Sequence, residues 1–249
     1  MGNNFFEKNY TVHYYETGKG LQLRISNLMN YFEEVALMQS EERKVGLDYY
    51  REHGVIWMLY KWDITIHKPP VFGQRIRIRT LPVSIAGFMG FRQFWVYAEN
   101  GEILVSAQSA WIFVNTQSKR PLRVTEDMKR AYGHSGQPES KLEMAEVPAL
   151  QKVEFTKEFN VRQADIDLNE HVNNVRYVDW ALEALPPDLL RKHQLENIKI
   201  VFKKETTYGQ RISSQVEIFH EGNSTRCVHR ILDDQQREVC ALLTTWLPV

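Results

Sequence analysis

Residues 164–180 read ADIDLNEHVNNVRYVDW and combine a cluster of polar side chains with the start of a helix. Asp167, Asn169 and His171 occupy alternate positions, so in an extended segment their side chains would lie on one side. After them, apolar residues recur with the spacing of a helix face. A carboxylate, an amide and an imidazole directly before a helix predict a functional site.

The composition of the chain limits the class of protein. The 249 residues are 43% hydrophobic and 25% charged, with 31 basic and 31 acidic residues. These values are typical of a soluble globular protein, and the zero net charge gives no indication of a nucleic acid or anionic membrane partner. No apolar run has the length of a signal peptide or a membrane span. Two cysteines, Cys227 and Cys240, lie in strand-like sequence, so we expect reduced core thiols and a cytoplasmic protein.

The first half of the chain predicts one helix followed by antiparallel strands. Apolar spacing indicates a helix over Ser26–Met38. Alternating, β-rich segments predict the strands 9–17, Val55–His67, Gln74–Leu81, Phe91–Ala98 and Glu102–Asn115. The Asn100-Gly101 pair between the last two strands is a strong hairpin signal.

The second half repeats this order of elements. It predicts a helix over Asn174–Leu185 and the strands Phe155–Val161, Asn197–Thr207, Arg211–His220, Thr225–Asp233 and Glu238–Leu247. The string FGQRI at 72–76 also returns as YGQRI at 208–212. Residues 132–150, rich in Gly, Ser, Pro and Glu, predict a linker. Together, these observations indicate a duplicated unit.

Two structural roles for the polar cluster compete with a catalytic one. The spacing of Asp165, Asp167 and Asn169 resembles the start of a calcium loop, but Glu170 and Arg176 replace its essential Gly and Glu. No second His or Cys stands at zinc-ligand spacing from His171, and helix capping by Asn173 or Asn174 would be independent of catalysis.

The catalytic interpretation is hydrolysis of an acyl bond. Such a reaction needs a base for water, or a nucleophile, together with donors for the oxyanion. His171 can supply the base, Asp167 can orient it or react directly, and Asn169 can hold substrate or water. Backbone N–H groups of Asn173 and Asn174, at the predicted helix start, can polarise a carbonyl. A serine nucleophile is disfavoured because the chain has no G-x-S-x-G motif.

The string DIDLNEHVNNVRYVDWALEALP resembles the signature of the acyl-acyl-carrier-protein (acyl-ACP) thioesterases, the plant enzymes and their bacterial relatives. The segments LMNYFEEVA and GEILVSAQSAWIFVN are also similar to that family. The resemblance implies an α+β protein with a tandem hotdog fold, in which each half wraps a twisted antiparallel sheet around a long helix. It implies an N-terminal hotdog over residues 1–131 that shapes the acyl pocket, a linker over 132–150 and a catalytic hotdog over 151–249.

The resemblance also implies site residues and partners. The family's catalytic Asp, Asn and His correspond to Asp167, Asn169 and His171, and its later acidic residue corresponds to Glu205. Plant members have a cysteine beside that Glu, where this chain has Thr206, which disfavours an obligatory thiol. Whether Asp167 attacks the thioester or His171 and Glu205 activate water stays open.

The same resemblance implies release of free fatty acids from acyl carrier protein without a metal or organic cofactor, by a monomer or a homodimer. The first-half counterpart of Asp167–His171 is expected near Arg24–Leu28, which has neither acid nor histidine. An acidic carrier predicts a basic docking face, with Lys119, Arg120, Arg123, Lys129, Arg130, Lys203 and Lys204 as candidates. Activity on acyl-coenzyme A and a non-catalytic acyl-binding module are the alternatives.

Overall fold

The computed structural model describes residues 4–249, so Met1–Asn3, at the start of the predicted first domain, lie outside the described residues. The described chain forms two compact units. The first contains the described residues up to Lys61 together with His67–Met144, and the second contains Trp62–Ile66 and Ala145–Val249. The change of unit at Met144 lies within the segment predicted as a linker.

Ten strands and five α-helices are found in residues 4–249. The strands are β1 (Phe6–Thr11), β2 (Val55–Ile66), β3 (Arg75–Ala86), β4 (Met89–Ala98), β5 (Ile103–Asn115), β6 (Phe155–Asn160), β7 (His193–Phe202), β8 (Arg211–Glu221), β9 (Ser224–Leu232) and β10 (Glu238–Pro248). The helices are α1 (Ile25–Glu42), α2 (Leu47–His53), α3 (Glu126–Ala131), α4 (Asn174–Glu183) and α5 (Pro187–Lys192). None of these helices is long and apolar enough to cross a membrane.

The two units use the same strand order. In the first unit the order is β1-β3-β4-β5-β2, and in the second it is β6-β8-β9-β10-β7. The pairs β1–β3, β3–β4 and β4–β5 are antiparallel, as are their counterparts β6–β8, β8–β9 and β9–β10. The α+β class predicted from the sequence is therefore confirmed, and the repeated order agrees with a duplicated unit.

Each unit packs the apolar face of one helix on its sheet. Phe32 of α1 is fully buried, and its ring centroid lies 5.0 Å from that of Phe94 on β4. In the second unit, Val178 and Ala181 of α4 are fully buried. Burying one such large apolar side chain contributes about 1.5–3 kcal/mol, so these faces fix where each helix lies. The start of each helix is thereby fixed relative to its sheet.

Some predicted elements have different bounds in the structure. The helix predicted over Ser26–Met38 extends to Ile25–Glu42. The helix predicted over Asn174–Leu185 is α4, which ends at Glu183. Pro187 begins the short helix α5, because proline is tolerated in the first turn of a helix. The strand predicted over Asn197–Thr207 is β7, which ends at Phe202 and leaves Glu205 in a connecting segment.

Candidate active site

The segment predicted to be extended is a tight turn. Ile166 and Val172 form an isolated antiparallel bridge. Between them, the Asp167 N–H donates to the His171 carbonyl at 2.8 Å, and the Glu170 N–H donates to the Asp167 carbonyl at 3.2 Å. The prediction that alternate side chains share one side of a strand was therefore wrong. Asp and Asn favour turns over strands, because their side chains can take the place of backbone hydrogen-bond partners.

The carboxylate of Asp167 closes this turn. Its Oδ1 accepts the Asn169 N–H at 2.8 Å and the His171 N–H at 3.4 Å. Glu170 has a φ of +63°, a left-handed conformation that costs a non-glycine residue about 1–2 kcal/mol. These backbone hydrogen bonds hold the turn against that cost. The described hydrogen bonds of Asp167 therefore go to the backbone and not to the imidazole of His171.

The imidazole of His171 meets the carboxylate of Glu205. The Nε2 atom of His171 lies 3.1 Å from Oε2 of Glu205, and the two side chains are 21% and 38% exposed. One residue comes from the turn before α4 and the other from the connection between β7 and β8. The site therefore combines two chain segments that the sequence separates by more than thirty residues.

Backbone hydrogen bonds join these two segments. The Val172 N–H donates to the Thr206 carbonyl at 2.9 Å. Farther along, the Val161 N–H donates to the Gln210 carbonyl at 2.9 Å, and the Gly209 N–H donates to the Val161 carbonyl at 3.2 Å. Buried backbone groups require such partners, so the connection after β7 is tied to the turn before α4.

The buried carboxylate of Asp165, which is not part of the predicted site, anchors the turn. Asp165 is 1% exposed and accepts the Arg162 N–H at 2.9 Å and the Arg162 guanidinium at 2.8 Å. The pKa of Asp165 lies below its usual value. Burial acts to raise this pKa, but the hydrogen bonds from Arg162 and the charge of Arg176 have the larger, opposite effect. The carbonyl of Asp165 also accepts the Asn173 N–H at 2.9 Å. Asp165 thus fixes the point at which α4 begins.

The start of α4 leaves one of the predicted oxyanion donors available. The N–H of Asn173 is occupied by the Asp165 carbonyl, which corrects its prediction as a donor. The side chain of Asn173 caps the helix by accepting the Val175 N–H at 3.1 Å. The N–H of Asn174 has no acceptor among residues 4–249 and lies at the positive end of the helix dipole.

The predicted site residues thus differ in their placement. His171 and Glu205 are in contact, Asp167 supports the turn, and Asn169 is exposed on the turn with no side-chain hydrogen bond to the described residues. The neighbouring Leu168 is 99% exposed, which leaves this side of the turn open to a ligand.

The two cysteines are buried in strands, Cys227 in β9 and Cys240 in β10. Burial raises the pKa of the Cys227 thiol to about 12 and also raises that of Cys240. Since the thiolate is the nucleophilic form, neither sulfur is prepared for attack on a thioester. In the described chain, no three His, Cys, Asp or Glu side chains converge as a metal site.

Most of the cations expected to form a docking face are paired with acids. Lys203 lies 2.6 Å from Glu238, and Lys204 lies 3.7 Å from Asp233. Arg123, Lys129 and Arg130 also contact nearby carboxylates. Of the seven predicted docking cations, only Lys119 and Arg120 lack an ion-pair partner within residues 4–249. Ion pairs at the surface are weak, so the docking face stays a prediction.

The first unit contains a turn with the same hydrogen bonds at Gly18–Gln22. There the Gly18 N–H donates to the Gln22 carbonyl at 2.8 Å, and the Leu23 N–H donates to the Pro70 carbonyl at 2.8 Å. The counterpart predicted near Arg24–Leu28 was therefore wrong. An apolar helix face repeats every three to four residues, so the pattern used to match the helices fits several registers. The backbone hydrogen bonds of the two turns fit only one of these registers, which aligns Gly18 with Asp167.

The fold and the site define a tandem α+β protein with an imidazole–carboxylate pair beside a helix start. The family described as acyl-ACP thioesterase N-terminal domain matches residues 3–132, and the corresponding C-terminal domain matches residues 149–248. The chain belongs to the acyl-ACP thioesterase family, as its sequence predicts.

Individual relatives agree with this membership. The chain is 24% identical to the chloroplastic acyl-ACP hydrolase FATB2 of Cuphea viscosissima, over 98% of this chain and 63% of that protein. It is 28% identical to the chloroplastic oleoyl-acyl carrier protein thioesterase 2 of Arabidopsis thaliana, over 80% of this chain and 59% of that protein. The chain therefore spans about three-fifths of the length of these plant relatives.

Solved structures establish the fold. A Lactobacillus plantarum protein provisionally described as an oleoyl thioesterase matches with a TM-score of 0.93 and 22% identity, over 98% of this chain and 96% of that one. The 12:0-ACP thioesterase of Umbellularia californica matches with a TM-score of 0.85 and 20% identity, over 99% and 95%. The tandem hotdog fold expected from the sequence is confirmed.

Proposed function

We propose that the chain hydrolyses the thioester between a fatty acyl chain and acyl carrier protein, which releases free fatty acid and ends elongation. The observation that carries this proposal is the 3.1 Å contact between His171 and Glu205, in a chain whose two halves both match the acyl-ACP thioesterase family. The names of the two plant relatives describe them as acting on acyl groups that are bound to acyl carrier protein.

In the proposed reaction, His171 is the general base and Glu205 orients it. The Nε2–H of the neutral imidazole donates to Glu205, and Nδ1 takes a proton from water. The resulting hydroxide forms a bond to the thioester carbon, and the carbon–sulfur bond then breaks. His171 returns the proton to the leaving thiolate. The carboxylate of Glu205 stabilises the imidazolium that exists between these two steps.

Backbone and amide groups near the turn complete the site. The Asn174 N–H at the start of α4 is proposed to donate to the oxyanion, and the exposed amide of Asn169 is proposed to hold the substrate. The carboxylate of Asp167 accepts two backbone N–H groups, which supports a structural role in preference to nucleophilic attack. The first unit, with Gln22 at the position of His171, takes no part in the chemical step.

Two further assignments belong to the same proposal. The partner is an acidic acyl carrier protein, which Lys119 and Arg120 could contact, and the chain works as a monomer or a homodimer in the cytoplasm. The buried, unpaired thiols of Cys227 and Cys240 support a reducing compartment.

The test compares one acyl group on two carriers. The wild-type protein is expected to hydrolyse the acyl-carrier-protein thioester faster than the matched coenzyme A thioester. The His171→Ala variant should lose about 10²–10⁴-fold in kcat, the usual contribution of a general base. Gln22→Ala, the matched change in the first unit, should leave kcat unchanged.

Each failure has its own meaning. A preference for coenzyme A would contradict the proposed substrate. Full activity of His171→Ala would contradict the site. Binding of an acyl chain without any hydrolysis would favour an acyl-binding module.

A further inference from the structure

We propose that Tyr177 and Thr206 are positioning residues that hold the carboxylate of Glu205 against His171. The inference rests on the proposed function, since it concerns the same imidazole–carboxylate pair. Neither residue belongs to the predicted site. Tyr177 lies on α4, which follows the histidine turn, and Thr206 directly follows Glu205 in the connection after β7.

A buried hydrogen bond joins the two side chains. The Tyr177 hydroxyl lies 2.6 Å from the Thr206 hydroxyl, and the two residues are 2% and 1% exposed. Burial raises the pKa of Tyr177, so its phenol keeps the proton at neutral pH and can donate it. A hydrogen bond between buried groups is protected from competition with water, so it restrains both segments.

Thr206 connects this hydrogen bond to both members of the pair. It directly follows Glu205 in the chain, and its carbonyl accepts the N–H of Val172, which directly follows His171. Thr206 is therefore tied to α4 through its side chain and to the histidine turn through its backbone. A shift of Thr206 would move the carboxylate and the imidazole relative to each other.

The first unit shows that the fold does not need the hydroxyl pair. The repeated hydrogen bonds place Leu28 at the position of Tyr177 and Pro70 at the position of Thr206. The backbone bond is kept there, from the Leu23 N–H to the Pro70 carbonyl. Neither Leu28 nor Pro70 carries a hydroxyl. The second unit has both the Tyr177–Thr206 hydrogen bond and the His171–Glu205 pair. The equivalent positions of the first unit have neither.

The chain permits substitutions that remove only the hydroxyls. The ring of Tyr177 packs against Trp180 and Phe202, at centroid distances of 5.5 and 6.0 Å, and Tyr177→Phe keeps these contacts. Thr206→Val keeps the shape of the side chain, and Thr206→Ser keeps its hydroxyl. Tyr31→Phe is a matched control, because the buried Tyr31 on α1 donates to Glu16 in the first unit.

The experiment measures kcat, KM and Tm for these variants of the full chain with acyl-acyl-carrier protein. Tyr177→Phe and Thr206→Val should each lower kcat by about 10- to 100-fold with little change in KM, since misplacement by about 1 Å can cost this much. Each should also lower Tm, because one buried hydroxyl loses its partner. Thr206→Ser should keep most of kcat, and Tyr31→Phe should change Tm without changing kcat.

The double variant Tyr177→Phe/Thr206→Val separates positioning from stability. Removing both hydroxyls leaves no unpaired group, so Tm should recover. If kcat stays low while Tm recovers, the positioning role is supported. If kcat recovers with Tm, or if neither single variant lowers kcat, the inference is overturned. An inactive wild type, or a fully active His171→Ala variant, would instead contradict the proposed function.

Discussion

The turns at Gly18–Gln22 and Asp167–His171 share their closing hydrogen bonds but differ in side chains and at their third residue, where Gly20 has a φ of +66°. In each, the first N–H donates to the carbonyl of the last residue at 2.8 Å. The fourth residue of each has a positive φ, +57° at Leu21 and +63° at Glu170. A bridge closes each turn, between Thr17 and Leu23 and between Ile166 and Val172.

The segments before the two turns are also equivalent. The Glu16 carboxylate accepts the His13 N–H at 2.7 Å, as the Asp165 carboxylate accepts the Arg162 N–H at 2.9 Å. The carbonyl of each acid also accepts the N–H of the N-cap residue of the following helix, at 3.1 Å from Arg24 and 2.9 Å from Asn173. The anchor before the helix is therefore part of the duplicated scaffold.

The difference between the turns identifies the side chains that folding does not require. The positions of Asp167, Asn169 and His171 carry Gly18, Gly20 and Gln22 in the first unit, and Pro69 stands where the second unit has Glu205. The first turn closes without an acid or a histidine and has Gly20 in the left-handed region. The imidazole of His171 and the carboxylate of Glu205 are therefore additions to the scaffold, whereas Asp167 supports the backbone of its own turn. This difference between the units supports the proposed catalytic role of His171 and Glu205, whose side chains contact at 3.1 Å.

After the loss expected for His171→Ala, the largest effect on kcat is expected for Glu205→Gln. A hydrogen bond to a charged group contributes about 1.5–3 kcal/mol, so kcat should fall by roughly 10- to 150-fold. Tm should not change, because the first unit folds with Pro69 at this position. Steady-state hydrolysis and thermal unfolding measure the two quantities. The control is Glu170→Gln, which changes an exposed carboxylate in the turn that holds His171. An equal loss of kcat in this variant would show that the loss does not come from the contact between His171 and Glu205.

A second prediction concerns the anchor of the turn. Asp165→Asn should lower the free energy of unfolding at pH 7 by about 1–3 kcal/mol, a range kept low because the Arg162 side chain is 69% exposed. The folded protein lowers the pKa of Asp165, so its stabilisation is complete above the unfolded pKa near 3.9 and is lost as the pH falls through the lower folded value.

Urea unfolding at pH 7 and pH 3 measures this dependence. The difference between wild type and Asp165→Asn should be largest at pH 7 and should shrink below about pH 4. An equal difference at both values would show that the charge of Asp165 is not what anchors the turn.

The smallest effect is expected for Asp167→Asn. The amide oxygen of asparagine can accept the Asn169 and His171 N–H groups as the carboxylate does, so kcat should stay within about fivefold of wild type. A nucleophilic Asp167 would instead make this variant lose about 10³-fold or more. Asp167→Ala, which removes the acceptor, should lower the free energy of unfolding by about 1 kcal/mol. Burst kinetics would detect any covalent acyl intermediate.

The sequence predicted the features that depend on local pattern. Apolar spacing located the helices, the Asn100-Gly101 turn located the hairpin between β4 and β5, and the repeated GQRI string indicated duplication. It also selected His171, because a short string around it was specific enough to resemble a family. It misplaced the first-unit counterpart of the turn, because helical periodicity alone does not fix a register.

The order of amino acids is therefore enough to define the class of fold, the duplication and the identity of the polar residues. The folded chain defines which of these residues are in contact. The contact between His171 and Glu205 depends on backbone hydrogen bonds across the second unit, from Val172 to Thr206. The role of Asp167 in closing its turn depends on the left-handed conformation of Glu170, three residues later. Partners that are distant in sequence are set by packing and hydrogen bonding, and these are properties of the folded chain.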